Sequence, residues 1–381
     1  MIREHKNARV AHSAPESSAT LDAAHMAPPA SRGPALRVRL IGKSNGVGLT
    51  RDFELLSRAL QACGCEVSMH GCERRERKAR RGLLPRWAAR LRQRSRRAGR
   101  SPRAPRPWDV NVMLEHVWPQ FLHQAHCNVL VPNPEWFDRR DVAFLDAIDR
   151  VWAKTELATE LFSARGCGTS HLGFDSEDRW RPEVARERAF LHLAGRSPLK
   201  GTERLLALWR DHPEWPRLTV VQDGLEREPP AAAAANLTLL RGYLEDAELR
   251  RLQNAHRFHL CLSEAEGWGH YIAEAMSVAA VTFASDAPPM NELIHPERGV
   301  LVSVQLAERH NLVPLARFEE RSLEAQLAHA LRLPAAELEA LGAAARRWFL
   351  ANKQGFAARV QAALNDLDAL ARGTTRRGAR R

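Results

Sequence analysis

Tyrosine is almost missing from this chain: two residues among 381, beside ten Trp and twelve Phe. A nucleic-acid-binding module is expected to spread basic residues over a folded surface with stacking aromatics between them, and so thin a tyrosine supply argues against it. No uninterrupted apolar run approaches the ~18 residues a spanning helix requires, so membrane contact is expected only at the periphery. A secretory apolar core is also lacking. The six cysteines (Cys63, Cys65, Cys72, Cys127, Cys167 and Cys261) are scattered, which excludes a disulfide scaffold and leaves reduced thiols in a cytoplasmic protein as the expected state. Cys63, Cys65 and Cys72 make a poor zinc set, because a C-x-C pair with one distant partner does not match tetrahedral ligand spacing, and His123 and His126 fare no better. There is no internal repeat.

What is present first is charge. The chain carries a net +12, but fourteen Arg and one Lys against two Glu lie between Glu73 and Pro107, so everything outside that insert is close to neutral. A basic segment differs from a basic protein, and nucleic acid is not the expected partner. Within the insert, Leu83, Leu84, Trp87 and Leu91 recur at helical spacing beside Arg86, Arg90, Arg94 and Arg97. An amphipathic helix lying on an anionic membrane surface is one reading, a solvated basic loop a second, and a phosphate or RNA contact a lesser third.

The length favours two domains. Residues 1–34 read as a disordered leader rich in Ala, Ser, Pro and His, and 372–381 as a basic disordered tail. Between them the pattern is α/β. Leu36–Ile41 reads as a strand, followed by the glycine-bearing loop Gly42–Gly48 and a helix through Leu60; further strands are expected at 66–69, 110–114, 128–131 and 151–153. The alternation restarts after Trp180, with strands at 189–194, 218–222, 237–240, 258–262, 280–284 and 299–302 and helices at 202–209 and 246–253. Helices at 323–331, 336–349 and 355–370 close the chain. Strands alternating with helices imply parallel sheets. The expected division is 35–180, interrupted by the insert 73–107, then 181–350, with 351–371 as a helix crossing back onto the first domain.

The chemistry concentrates in Ser263-Glu-Ala-Glu-Gly-Trp-Gly-His-Tyr-Ile-Ala-Glu-Ala-Met276, where a strand ends and a helix begins. Free N–H groups and the positive end of the helix dipole suit a diphosphate there, and Gly267 and Gly269 remove Cβ atoms that would obstruct it. Glu266 and Glu274 sit eight positions apart, one in the loop and one a turn into the helix, so both carboxylates can face one ligand. Two glutamates at that spacing alone usually form a solvated face; the glycines and flanking loops set this pair apart.

This E-x7-E stretch resembles the signature of the group-1 retaining glycosyltransferases of GT-B fold, two Rossmann-like domains facing across a cleft. Gly195-Arg-Ser-Pro-Leu-Lys-Gly201 is similar to that family's loop whose Arg and Lys hold the donor diphosphate. Arg241-Gly-Tyr-Leu-Glu-Asp-Ala-Glu-Leu249 resembles its base-binding turn, and Ser285–Leu293 its next loop. The resemblance implies that Glu266, Arg196 and Lys200 act at the reacting centre, together with His116, which closes Asp109-Val-Asn-Val-Met-Leu-Glu-His116. It places Glu274 on the ribose, Gly267, Trp268, Gly269, His270 and Tyr271 on phosphate or sugar, Gly242 and Tyr243 beside the base, and Glu292 near the donor. Gly46 and Gly48 correspond to the acceptor-side glycine loop. For His116 an ordinary hydrogen-bonded histidine at a strand end is the alternative to the catalytic role.

The reaction implied is sugar transfer from a nucleotide-diphosphate donor to a glycan or lipid-linked acceptor, with retention. Arg196 and Lys200 would offset leaving-group charge, so no metal and no cofactor are expected, the nucleotide sugar being a substrate. Cell-surface polysaccharide or lipopolysaccharide assembly at the inner face of the cytoplasmic membrane is the expected setting. Three other readings compete with this one. A phosphate-loop NTPase is suggested by Gly42-Lys43-Ser44, but Arg37 stands where its first glycine belongs. A basic nucleic-acid or membrane-binding protein would rest on the insert alone, and a GT-B scaffold without transfer chemistry would keep the fold only.

Overall fold

A computed structural model describes residues 35–43, 48–73, 76, 106–223 and 234–378. The leader, Gly46, nearly all of the arginine insert and the end of the tail lie outside the described residues.

The first half runs β1 (Arg37–Gly42), α1 (Gly48–Ala62), β2 (Glu66–Gly71), β3 (Trp108–Glu115), β4 (Ala125–Pro132), α2 (Arg139–Val142), β5 (Arg150–Ala153), α3 (Glu156–Ser163) and β6 (Thr169–His171). Its six strands form one parallel sheet in the order β2-β1-β3-β4-β5-β6. The central strands are apolar on both faces, as helix-covered parallel strands must be: Leu40, Val112, Val129 and Trp152 are fully buried on one face, and Ile41, Met113, Leu130 and Val151 on the other. Edge strand β2, more open to solvent, carries Ser68 and His70 instead.

The second half runs β7 (Glu187–Gly195), α4 (Thr202–Asp211), β8 (Leu218–Gln222), β9 (Leu237–Arg241), α5 (Asp246–Ala255), β10 (His256–Cys261), α6 (His270–Ser277), β11 (Val281–Ser285), α7 (Met290–Leu293) and β12 (Val300–Val302). These strands make a second parallel sheet, β12-β11-β10-β7-β8-β9. From β7 the chain winds outward through β8 and β9, then returns to place β10 on the other side of β7. The winding therefore reverses between β7 and β10, the position where open α/β sheets bind ligands at their strand ends. Phe190 stacks on Phe258 across this seam with ring centroids 4.7 Å apart.

Besides the short strand β6, which the sequence pattern did not show, two larger features depart from it. Residues 304–318 form an antiparallel hairpin, β13 (Val304–His310) and β14 (Val313–Phe318), before α8 (Glu320–Arg332). Its alternation is blurred by Glu308, Arg309 and His310, so periodicity gave little sign of it. The expected terminal helices 336–349 and 355–370 are one continuous helix, α9 (Ala335–Gly378). Gly355 does not break it, because Phe349, Phe356, Val360 and Leu364 continue a single buried stripe. That stripe packs against both α1 and α6. Among the described residues no helix is long and apolar enough to cross a membrane.

Candidate active site at the sheet switch point

Lys200 is positioned by the end of β7. His192, buried within that strand, holds Leu260 O at 2.8 Å through Nδ1 and Thr202 Oγ1 at 2.8 Å through Nε2, which ties β7 to β10 and to the first residue of α4. Burial lowers its pKa to about 4, so it serves as a neutral brace. Gly201 follows at φ +67°, and a Cβ there would meet Leu262 O at 2.9 Å; the close turn swings Lys200 towards the β10 loop. Glu264 N donates to Leu199 O at 2.8 Å, joining the two loops.

Lys200 Nζ ion-pairs with Glu266, both side chains being mostly buried. The same carboxylate accepts from Ser263 Oγ, which also bonds the Tyr271 hydroxyl. The Lys200 ammonium lies 3.4 Å from the Tyr271 ring centroid, a close cation–π contact. Below them Cys261 is buried within electrostatic reach of Lys200, Glu266 and Glu274, and burial pushes its thiol far above the usual range. The loop enters α6 through Gly269 at φ +96°, a left-handed turn that suits glycine.

The carboxyl ends of the two sheets face each other here, and their side chains interlock. His270 Nε2 bonds Asp52 Oδ1 at 2.7 Å and its Nδ1 meets Ser176 Oγ at 2.9 Å, while Trp268 Nε1 donates to the same hydroxyl at 3.1 Å. Lys154 Nζ donates to Asp52 Oδ2 at 2.5 Å and to Asn133 Oδ1 at 2.9 Å. Burial alone would raise Asp52, but Lys154 and His270 outweigh it and hold the carboxyl below its ordinary value. Asn133 reaches Gly267 so closely that a Cβ there would lie 2.2 Å from its Oδ1, a second reason for that glycine. Two residues on, Glu135 is buried with Oε2 lacking any partner among the described residues. Burial pushes its pKa to about 8, Glu266 and Glu115 adding to the rise while Lys154 opposes it.

The remaining residues singled out in the sequence are dispersed. Glu274 is buried, ion-pairs with Arg51 of α1 and accepts from Gln253 Nε2 at 2.9 Å. Arg196 points outward, exposed and paired with Asp223 at 2.7 Å rather than joining Lys200. Glu292 reaches into the first half, where its two oxygens accept from Glu156 N at 2.7 Å and Leu157 N at 2.9 Å, capping α3. Two N–H groups at a helix start therefore hold the carboxylate that the resemblance places near the donor. His116 is anchored by Asp141 at 2.8 Å with Glu115 Oε2 at 3.4 Å, both residues of the first half. Gly242 turns at φ +88° beside Tyr243, which is largely exposed. Gly48 opens α1.

Arg51, Asp52, Asn133, Glu135 and Lys154 escaped the sequence reading. The signal was present for two of them: Asp52 lies among Leu49, Phe53 and Leu56 on the buried face of α1, and Lys154 follows the buried run of β5. Among cysteines, Cys63 and Cys65 join no metal-ligand cluster within the described residues; Cys72 lies with His70 and Glu76, ligand atoms within 4.8 Å. His70 Nε2 already pairs with Glu76 at 2.7 Å, and Arg39 supplies positive charge to both Cys72 and Glu76.

No family model and no curated protein sequence matches the chain. Solved structures do. Sucrose-phosphate synthase from Thermosynechococcus elongatus superposes with a TM-score of 0.62 at 14% identity, over 88% of this chain and 100% of that one. OtsA in its apo form gives 0.58 at 12% identity, over 87% and 99%. The fold is GT-B. A third GT-B match, HepE of Anabaena in complex with UDP and glucose, gives 0.55 at 14% identity, over 88% and 99%. At such identities the likeness concerns architecture, and within GT-B the Lys200–Glu266 pair stands at the reversal of the second sheet.

Proposed function

We propose that this chain is a nucleotide-sugar-dependent glycosyltransferase that moves a hexose-type sugar to a glycan or lipid-linked acceptor with retention and without a metal. The observation that carries the reading is the Lys200–Glu266 pair, joined across the switch point of the second sheet and facing the first half. In this reading Lys200 neutralises the leaving diphosphate and the amides at the start of α6 meet its oxygens. Glu266 accepts hydroxyl hydrogen bonds from the transferred sugar, which are charge-assisted.

Arg51 holds the Glu274 carboxylate, so ribose binding there requires that the halves part and the ion pair open, and reclosure then excludes water from the reacting bond. Arg196 belongs to the rim in this scheme and Glu292 to the clasp between halves. Acceptor chemistry falls to the first half, with His116 retained on resemblance alone. An anionic membrane surface meeting residues 73–107 is consistent with a lipid-linked acceptor in cell-surface polysaccharide assembly. Liposome flotation of the chain with and without residues 74–106 tests that part, and equal flotation removes it.

Because HepE was solved with UDP and glucose, UDP is the first nucleotide to titrate, beside GDP and ADP. Calorimetric binding of one of them, and release of it from the matching nucleotide sugar in the presence of EDTA, is the expected result. Failure of all nucleotides to bind would instead favour a GT-B scaffold without transfer chemistry, with the Arg51–Glu274 pair as a permanent brace.

A further inference from the structure

The second sheet has a basic cavity at its opposite end, where strands β7 and β10 begin. Arg186 precedes β7 and Arg257 lies at the start of β10, while Glu339, Arg346 and Arg347 project from one face of α9. With Trp180 they line a space of about 490 Å³. Two guanidinium groups pack on Trp180, Arg186 at 5.0 Å and Arg346 at 4.8 Å from its ring centroid.

Two of the arginines have structural employment. Arg186 donates to Val278 O and to Ala279 O at 2.7 Å, and Arg346 donates to Ser277 O, so both cap the carboxyl end of α6. Capping carbonyls does not neutralise charge. Asp178 pairs with Arg346 at 2.9 Å, and Glu339 lies 3.9 Å from Arg257, leaving four guanidiniums against two carboxylates. Arg347 is exposed and makes no ion pair among the described residues. The crowding is felt at Arg186, whose pKa falls to about 10 through burial first and then through Arg257 and Arg346. Like charges gathered around a partly desolvated cavity repel, and an anion with several oxygens relieves that repulsion while accepting bidentate bonds.

We propose that this cavity is an anion-binding site, separate from the Lys200–Glu266 centre, for a ligand carrying a phosphate or diphosphate group. Its walls share no residue with the Lys200–Glu266 centre, though α6 spans from one to the other: His270 begins it at the centre and Ser277 ends it against Arg346.

The test uses the full chain at constant ionic strength, with inorganic pyrophosphate titrated calorimetrically and, in parallel, flotation with phosphatidylcholine vesicles containing phosphatidate. Lys200→Met should retain saturable pyrophosphate binding, while Arg257→Gln/Arg347→Gln should weaken it about tenfold or more. Arg347→Gln alone, an exposed change that leaves the caps intact, should weaken it about threefold and guards against misfolding of the double variant. Pyrophosphate binding without flotation assigns a soluble ligand; flotation that the double variant loses assigns a lipid headgroup. Equal binding by wild type and the double variant, binding lost only in Lys200→Met, or neither pyrophosphate binding nor flotation, would overturn the proposal.

Discussion

Arg51, on the first helix, forms an ion pair with Glu274, 223 residues further along the chain. Glu274 is almost fully buried and Arg51 about a quarter exposed, so the pair is a half-sheltered link between the two halves. Removing Arg51 leaves a buried carboxylate with Gln253 alone, and Arg51→Ala should lower unfolding free energy by about 1 to 3 kcal/mol, less than for a fully buried pair because solvent screens the arginine. Urea denaturation measures this. Glu274→Ala should weaken nucleoside diphosphate binding by about 1 to 3 kcal/mol, and unchanged affinity would remove Glu274 from the proposed ribose site.

Lys200 and Arg196 lie in one loop, yet only Lys200 meets Glu266. If developing charge is neutralised at the switch point, Lys200→Met should reduce kcat about a hundredfold or more. Arg196→Ala, on an exposed residue, should cost less than about tenfold. Steady-state kinetics on both variants compares them, and equal losses would mean that Arg196 swings inward during turnover.

Glu292 caps α3 across the interface. Glu292→Ala should destabilise the fold by about 1 kcal/mol, typical of a lost cap, with nucleotide affinity unchanged. A large loss of affinity at constant stability would restore it to the donor side.

The clasp should respond to pH in opposite senses through two carboxyls. Asp52 is depressed in the folded state despite its burial, because Lys154 and His270 prevail. Its stabilisation is present above the ordinary carboxylate pKa and is lost as pH falls through the lower folded value. Stability should therefore drop below about pH 4, and Asp52→Asn should flatten that limb. Glu135, raised to about 8, makes the folded state hold a proton that the unfolded chain has released. Stability should decline as pH rises from the ordinary carboxylate range to about 8, and Glu135→Gln should remove this slope. Denaturation midpoints across pH read both.

Helix and strand period exposed the two α/β units, because continuous buried runs such as those of β3 and β11 and one-sided helices such as α1 write their environment into residue order. The loop from Ser263 to Met276 was equally legible, since glycines, a strand end and a helix start are local features. The β13–β14 hairpin and the unbroken α9 were not: the first alternates poorly, and the second contains a glycine that local propensity treats as a stop.

What local order settled, then, was the alternation of elements and the place of Lys200 and Glu266 in two loops. That these loops are neighbours depends on β10 returning beside β7 rather than following β9, a choice made by long-range packing such as Phe190 on Phe258. Glu274, Glu292 and His270 likewise each have a partner more than 130 positions away, in Arg51, the start of α3 and Asp52. Charge pairing of that kind leaves no periodic trace, because a buried carboxylate is satisfied by whichever donor the folded chain brings to it.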